Sequence, residues 1–282
     1  MKFTVGIAAY NEEKTLPKTI PLMLEHLGKN HLIISACGSD TIRIANELAK
    51  KDERIIIIEE HKREGKAAAL NKILKAAKTE VIILTDADVI PEKGSFELIS
   101  EHFKKPNIGY VSGRAIALNN DKSVFTFYAN FSYGTMHELR LKCHKLPTGY
   151  LFGIRKSSVS PIPDCHSEDA LIGTMISSNG YEFVYEPKAV VKVLYPTNWK
   201  DFFIQKTRTR LGHLEVKHRM KMNFREFRPR GEILNMLRKY NTKEKLLIAF
   251  YMLAESLVWI KAWVKFKTGR KGWERVESSK KI

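Results

Sequence analysis

Short β-branched apolar runs alternate with stretches of helical periodicity along the first half of the chain. Phe3 to Ala9, Leu32 to Ala36, Ile55 to Ile58 and Val81 to Leu84 read as strands, with helices at Leu16 to Leu27, Thr41 to Lys51 and Ala67 to Lys78 between them. The run Ile55-Ile56-Ile57-Ile58 is apolar on both faces, as a strand covered by helices on both sides must be. With right-handed crossovers, this alternation predicts an α/β layer structure around a mostly parallel central sheet flanked by helices. Such sheets bind ligands beyond the carboxyl ends of their strands, so the residues just after each run carry the candidate chemistry.

Those residues are polar in all four places: Ala9-Tyr10-Asn11-Glu12-Glu13, Cys37-Gly38-Ser39-Asp40, His61 to Lys66, and Asp86-Ala87-Asp88. Taken singly, each reads as turn chemistry, with Asn11 and Asp40 as helix caps. Four at one sheet edge point to a site. Asp86 and Asp88 end an apolar strand, where two carboxylates are costly unless a cation pairs with them. One residue apart, they can each offer an oxygen to a hard divalent ion, Mn²⁺ or Mg²⁺, whose other positions would take water and the phosphates of a nucleotide diphosphate. A second acidic pair, Glu168-Asp169, opens an amphipathic run. It reads either as helix N-terminal acids complementing the dipole or as a general base for an acceptor hydroxyl, and both readings stay open at this point. Gln205, the only glutamine in the chain, and Arg208 share a helical face on which amide and guanidinium could hold a diphosphate.

The order of these motifs resembles the family 2 inverting glycosyltransferases, the GT-A fold group that includes cellulose, chitin, hyaluronan and poly-N-acetylglucosamine synthases. The matching stretches are Val5 to Leu16, Gly65 to Pro91, Gly149 to Ser157, Ser167 to Gly180 and Gln205 to Arg208. The resemblance implies a GT-A nucleotide-diphospho-sugar transferase fold and transfer of a sugar from a nucleotide-diphosphate donor with inversion. It implies that Ala9, Tyr10, Asn11 and Glu12 line the base and ribose, that Lys66 and Asp86 contact the nucleotide, and that Asp88 holds the metal. It further implies Asp169 as catalytic base with Glu168 beside it, and Gln205 and Arg208 as the diphosphate clamp of a Q-x-x-R-W motif. Two positions depart from the pattern. Thr209 stands where the motif has tryptophan, which argues for adding one or a few sugars over extruding a polymer; Cys37 stands where relatives carry an acid that contacts uridine.

Charge adds a division of the chain. The 48 Lys+Arg and 31 Asp+Glu give a formal +17, but residues 1–187 hold 24 basic and 23 acidic side chains whereas 188–282 hold 24 and 8. A nearly neutral catalytic part, residues 1–197, is therefore expected to precede a basic helical C-terminal extension, residues 198–282. In the extension, aromatic and basic residues from Asn198 to Met222 suit the interface of an anionic bilayer. The apolar run from Leu246 to Ile260 falls short of a ~30 Å hydrocarbon core, so an interfacial or packed helix is favoured over a single span through 246–266. A basic helical hairpin that covers the sheet or makes a homodimer is the plain alternative.

Three cysteines and no leader-like N-terminus predict a cytoplasmic protein, peripheral on the inner membrane face. The adjacent pairs Cys143-His144 and Cys165-His166 lack the spacing of a structural zinc site. The expected partners are a nucleotide-diphosphate sugar, a lipid-linked or saccharide acceptor and an anionic membrane surface. Two other classes compete. A sugar-phosphate nucleotidyltransferase would need a glycine-rich basic loop near the first strand, which VGIAAYNEE lacks. A nucleic-acid or polyanion binder would explain the basic end but not the acidic pocket, so no nucleic acid is expected as partner.

Overall fold

The computed structural model describes residues 1–143, 147–220, 237–269, 276 and 278. Strands β1 (Phe3–Tyr10), β2 (His31–Cys37), β3 (Ile55–Glu60) and β4 (Val81–Asp86) alternate with helices α1 (Leu16–Leu24), α2 (Ser39–Ala49) and α3 (Lys66–Ala76). After them come β5 (Val89–Pro91), α4 (Ser95–His102), β6 (Ile108–Ala117), α5 (Val124–Lys142), β7 (Leu151–Arg155), α6 (Glu168–Ser178), β8 (Glu182–Val193), α7 (Trp199–Arg219) and α8 (Thr242–Thr268). Each of the four anticipated strands and three anticipated helices is present, with ends that move by a few residues. Asn11 and Asp40 are not caps: Thr15 precedes α1, Gly38 precedes α2, and Asp40 lies in the first turn of α2.

The eight strands form one sheet in the order β3-β2-β1-β4-β7-β6-β8-β5. The first four are parallel, β6 and β8 pair parallel, and β7 and β5 run antiparallel to their neighbours. Only Ala87 and Asp88 separate β4 from β5, yet β5 lies four strand positions away. Four spacings of ~4.8 Å make ~19 Å, while the chain from Asp86 to Val89 reaches ~10 Å at most. The sheet must therefore curl and bring its far edge back over the end of β4, which turns a strand end into the wall of a pocket.

Side-chain alternation on β1 shows how the layers are held. Phe3, Val5, Ile7 and Ala9 face α1, α2 and α4, joining Leu16, Ile20, Ala45, Phe96 and Ile99 in one core. On the other face Ile33, Ile82 and Leu84 pack with Leu70 and Ile73 of α3 and with Leu171 and Ile176 of α6. A third, aromatic cluster joins Phe125, Tyr128 and Phe131 of α5 with Phe202 of α7 and Ile248, Tyr251 and Val258 of α8.

The basic end differs from the expectation of helices lying on a bilayer in one respect. Helix α7 is packed: Phe202 is fully buried, and Lys206 and Arg210 turn inward to Glu255 of α8 at 3.3 and 2.8 Å. The exposed apolar face belongs to α8, where Leu246, Phe250, Leu253, Leu257, Ile260 and Val264 recur at three- and four-residue intervals and remain 46 to 68% exposed. Among the described residues α8 is the one helix long and apolar enough to cross a membrane by length and composition. Residues 221 and 222 at the end of the Asn198 to Met222 stretch, and His144 of the first Cys-His pair, lie outside the described residues.

Candidate active site

The register of the sheet assembles the site. Ala8 of β1 stands opposite Asp86 of β4, and Tyr10 opposite Cys37 of β2, so the loop after β1 lies between the ends of both neighbours. In that loop Asn11 takes φ +55°, the one positive φ outside glycine among the described residues, and asparagine bears this conformation better than most side chains. The amide of Glu12 donates to Thr41 Oγ1 at 3.0 Å, and the Glu12 side chain is buried. The guanidinium of Arg63, from the loop before α3, lies 4.4 Å from the centre of the Tyr10 ring. Ala9 is buried in the core beneath this loop, so of the four residues carried over from the family it can offer only backbone.

Lys66, the first residue of α3, extends its ammonium to Asp86 Oδ1 at 2.6 Å. Loss of water around that ammonium opposes its charge, but Asp86, then Glu168 and Asp169, outweigh this and hold the amine above the usual lysine range. One cation thus feels three carboxylates from two distant segments, Asp86 of β4 and Glu168 and Asp169 at the start of α6. Burial pushes the Glu168 carboxyl up, against the pull of Lys66. The Asp86-Ala87-Asp88 turn is pinned by Thr19, whose hydroxyl donates to the Ala87 carbonyl at 2.8 Å.

Asp169 lies in the first turn of α6, and Ser167 Oγ donates to its Oδ1 at 2.9 Å. Two glycines let other backbone come close to it. A Cβ on Gly149 would stand 3.1 Å from Asp169 Oδ2, and one on Gly212 of α7 would stand 2.5 Å from the Ser167 Cβ. The loop before α6 is also tied to α7 by His166, whose Nδ1 and backbone amide meet the two oxygens of Glu215 at 2.9 and 3.0 Å. Glu215 raises the His166 pKa, against its burial.

Two residues beside Asp169 escaped the sequence reading. Arg140 at the end of α5 is 7% exposed, donates to the Pro147 carbonyl at 2.9 Å, and feels the Asp169 charge while burial pulls its pKa down. His213 on α7 is lowered by burial and by Arg210, against Asp169 and Glu255, so its imidazole is held toward the neutral form. A faint signal existed for His213, which lies about two helical turns beyond Gln205. Arg140 had none, because no motif names a basic residue at that helix end.

Gln205 and Arg208 both lie on α7. Arg208 lines a small cavity with His166, Ile204, Thr207, Leu211, Lys261 and Lys265, so its neighbours come from the loop before α6 and from α8, and Lys66 and Asp86 are not among them. Glutamine 205 is half-buried, and its carbonyl accepts from Thr209 Oγ1 at 3.1 Å.

Asp86 and Asp88 give oxygen ligands only, the set a hard divalent cation takes. Among the described residues no group of three or more His, Cys, Asp or Glu could hold a metal by itself. The pair therefore fits a cation that arrives with, or is completed by, the oxygens of a phosphate ligand and water. The lysine role is open to direct measurement. Lys66→Met should weaken nucleoside diphosphate binding by about tenfold, as loss of one charged hydrogen bond does, in titration calorimetry. Unchanged affinity would detach Lys66 from the nucleotide.

Comparison with known proteins identifies the family and the fold. The family model described as "Glycosyl transferase family 2" matches residues 4–161, more than half of the 282-residue chain. Poly-beta-1,6-N-acetyl-D-glucosamine synthase of Staphylococcus epidermidis is 28% identical over 224 residues, covering 74% of this chain and 54% of that protein. The synthase of the same name from Staphylococcus aureus strain COL is 26% identical over 226 residues, covering 76% and 55%. The chain spans about half the length of these curated relatives. Among solved structures, mannosyltransferase PcManGT from Pyrobaculum calidifontis, in complex with GDP-Man and Mn²⁺, superposes with a TM-score of 0.72 over 96% of this chain and 88% of that one, at 17% identity.

Proposed function

The chain belongs to glycosyl transferase family 2 and has the GT-A fold, and from that premise we propose that it moves a sugar with inversion from a nucleotide-diphosphate sugar to a hydroxyl of a lipid-linked or membrane-proximal acceptor. The observation that carries this reading is the Lys66 ammonium, which bonds Asp86 and feels Glu168 and Asp169, so that a nucleotide-side acid and a candidate base lie around one cation.

In this reading the loop Ala9 to Glu12 faces the base and ribose, with Tyr10 under Arg63 as an aromatic wall. Lys66 and Asp86 contact the nucleotide, and Asp88 with the donor's phosphates would hold Mn²⁺ or Mg²⁺. Such a cation, when bound, neutralises charge on the leaving diphosphate. Gln205 and Arg208 approach the diphosphate from α7. The acceptor hydroxyl loses its proton to Asp169 as its oxygen bonds the anomeric carbon from the face opposite the nucleotide. The bond from that carbon to the diphosphate breaks, its electron pair leaves with the nucleoside diphosphate, and configuration inverts. Burial raises the pKa of the Glu168 carboxyl beside the base, and Lys66 pulls against it. Arg140 and His213 orient the Asp169 carboxylate.

Residues 1–197 supply the donor pocket and base, and 198–282 the clamp helix and the membrane-facing helix. The exposed apolar stripe of α8 and the surplus of basic residues support a seat for the chain on the inner face of the cytoplasmic membrane. Thr209 in place of an acceptor-stacking tryptophan favours addition of one or a few sugars over polymer synthesis. A thermal-shift screen of nucleotide sugars with and without Mn²⁺ tests the reading. The true donor should raise the melting temperature by mass action, more so with the metal, and chelation should remove the increment. No shift with any nucleotide sugar would sink the reading.

A further inference from the structure

The cavity lined by Arg208 continues into a larger one of about 240 Å³. Both are bounded by His166, Leu211 and Lys265, so together they form a single groove between α7 and the C-terminal half of α8. Its far end is bounded by Asp164, Cys165, Glu215, His218, Arg219 and Phe266. Besides Arg208, assigned to the donor diphosphate, three cations, Arg219, Lys261 and Lys265, line the groove with two carboxylates, Asp164 and Glu215, and Glu215 is engaged by His166 at 2.9 Å. Cations therefore outnumber carboxylates along its lining. Its floor, Leu211 and Phe266, is apolar. His166, which lines both cavities, stands three residues before Asp169, the candidate base.

A second feature sits next to it. Lys261 and Lys265 follow Ile260 and Val264 on α8 by one residue each, which is a rotation of ~100° about the helix axis. The cationic wall of the groove and the exposed apolar stripe of α8 are thus adjacent faces of one helix, with Ile260 60%, Val264 46% and Trp263 53% exposed. A free sugar or a soluble anion uses only one of these faces. A molecule with a phosphate ester joined to a hydrocarbon chain uses both, its phosphate among the cations and its chain along the stripe.

We propose that this groove is the acceptor subsite, and that it takes the phosphate linkage of a lipid-linked saccharide, with the lipid on α8 and the sugar hydroxyl directed to Asp169. Lys265 and Arg219 grip the phosphate, Lys261 stands at the lipid side, and Phe266 and Leu211 line the passage between them. The assignment of the groove to the acceptor rests on the glycosyltransferase reading; its affinity for a phosphate-bearing amphiphile does not.

The test is equilibrium binding of radiolabelled dodecyl phosphate to the full chain in a neutral maltoside detergent, with nucleoside diphosphate binding measured on the same preparation. Saturable binding is expected, displaced by unlabelled dodecyl phosphate but not by inorganic phosphate or dodecanol at equal concentration. The double variant Arg219→Glu, Lys265→Glu should bind it about tenfold more weakly or worse, with nucleoside diphosphate affinity unchanged. If charge reversal lowers the melting temperature, the milder pair Arg219→Gln, Lys265→Met should weaken binding in the same direction. Equal binding by the variants overturns the proposal. Displacement by dodecanol removes the phosphate from it, and displacement by inorganic phosphate removes the lipid; either overturns it. Nucleotide binding without dodecyl phosphate binding sinks the groove alone, whereas dodecyl phosphate binding without any nucleoside diphosphate binding sinks the glycosyltransferase reading and leaves the groove standing.

Discussion

Replacing Asp169 by asparagine should lower the turnover of sugar transfer by about a thousandfold while nucleoside diphosphate affinity stays within about twofold of the parent. The argument starts from what asparagine keeps. Its Oδ1 can still accept from Ser167 Oγ, which holds Asp169 Oδ1 at 2.9 Å, and its volume suits the close approach of Gly149. What it loses is the ability to take a proton, which general-base catalysis values at ~10²- to 10⁴-fold. The donor contacts proposed at Asp86 and in the loop after β1 do not involve Asp169 and should be untouched. Loss of the Asp169 charge removes the third-ranked support of the Lys66 ammonium, behind Asp86 and Glu168, so Lys66 remains charged. Glu168→Gln is the informative companion. It should keep far more turnover than Asp169→Asn, because in this reading Glu168 is not the group that takes the acceptor's proton. Single-turnover transfer rates with saturating donor, beside calorimetric nucleotide affinity, read both quantities. Full turnover in Asp169→Asn would end its assignment as base, and a matched loss of nucleotide affinity would recast it as a binding residue.

Much of the nucleotide half was legible because its logic is local. An apolar run such as Val81 to Leu84 must be buried, a parallel sheet must present its carboxyl ends on one edge, and so Asp86, Lys66 and the loop from Ala9 to Glu12 had to meet. Periodicity was least informative after residue 197. Helix α7 carries aromatic and basic residues as a surface helix would, yet Lys206 and Arg210 are turned inward because a single acid on α8, Glu255, lies 45 positions or more along the chain. No spacing rule links positions so far apart. The same reason hid Arg140 and His213, which come from α5 and α7 and feel the Asp169 charge only because of the fold. The curl of the sheet was hidden too: it follows from the β5–β8 pairing, which a three-residue strand does not announce.

That inward-turned pair of cations carries the second large effect. Glu255→Gln should destabilise the folded chain at neutral pH by roughly 3 kcal/mol, and the penalty should disappear in acid. Glu255 accepts from Arg210 at 2.8 Å and from Tyr251 at 2.9 Å and lies 3.3 Å from Lys206, with only 13% of its side chain exposed. Burial alone would raise its pKa, but Lys206 and Arg210 hold it at about 2. Because the folded value lies below the ordinary 4.5, the contribution is fully present above pH ~4.5 and is lost as the pH falls toward 2. Glutamine keeps the shape and one acceptor but leaves two half-buried cations without their counter-charge, the costly way to break such a network. Denaturant melts of the two proteins should therefore draw together below pH ~4.5 and converge near pH 2. Parallel curves at all pH values would mean that the network is screened by solvent and adds nothing. Nucleoside affinity should survive the substitution, since the proposed base and ribose contacts come from the sheet edge. Dodecyl phosphate affinity should fall, because Glu255 is the clasp that keeps α8, and with it Lys261 and Lys265, against α7.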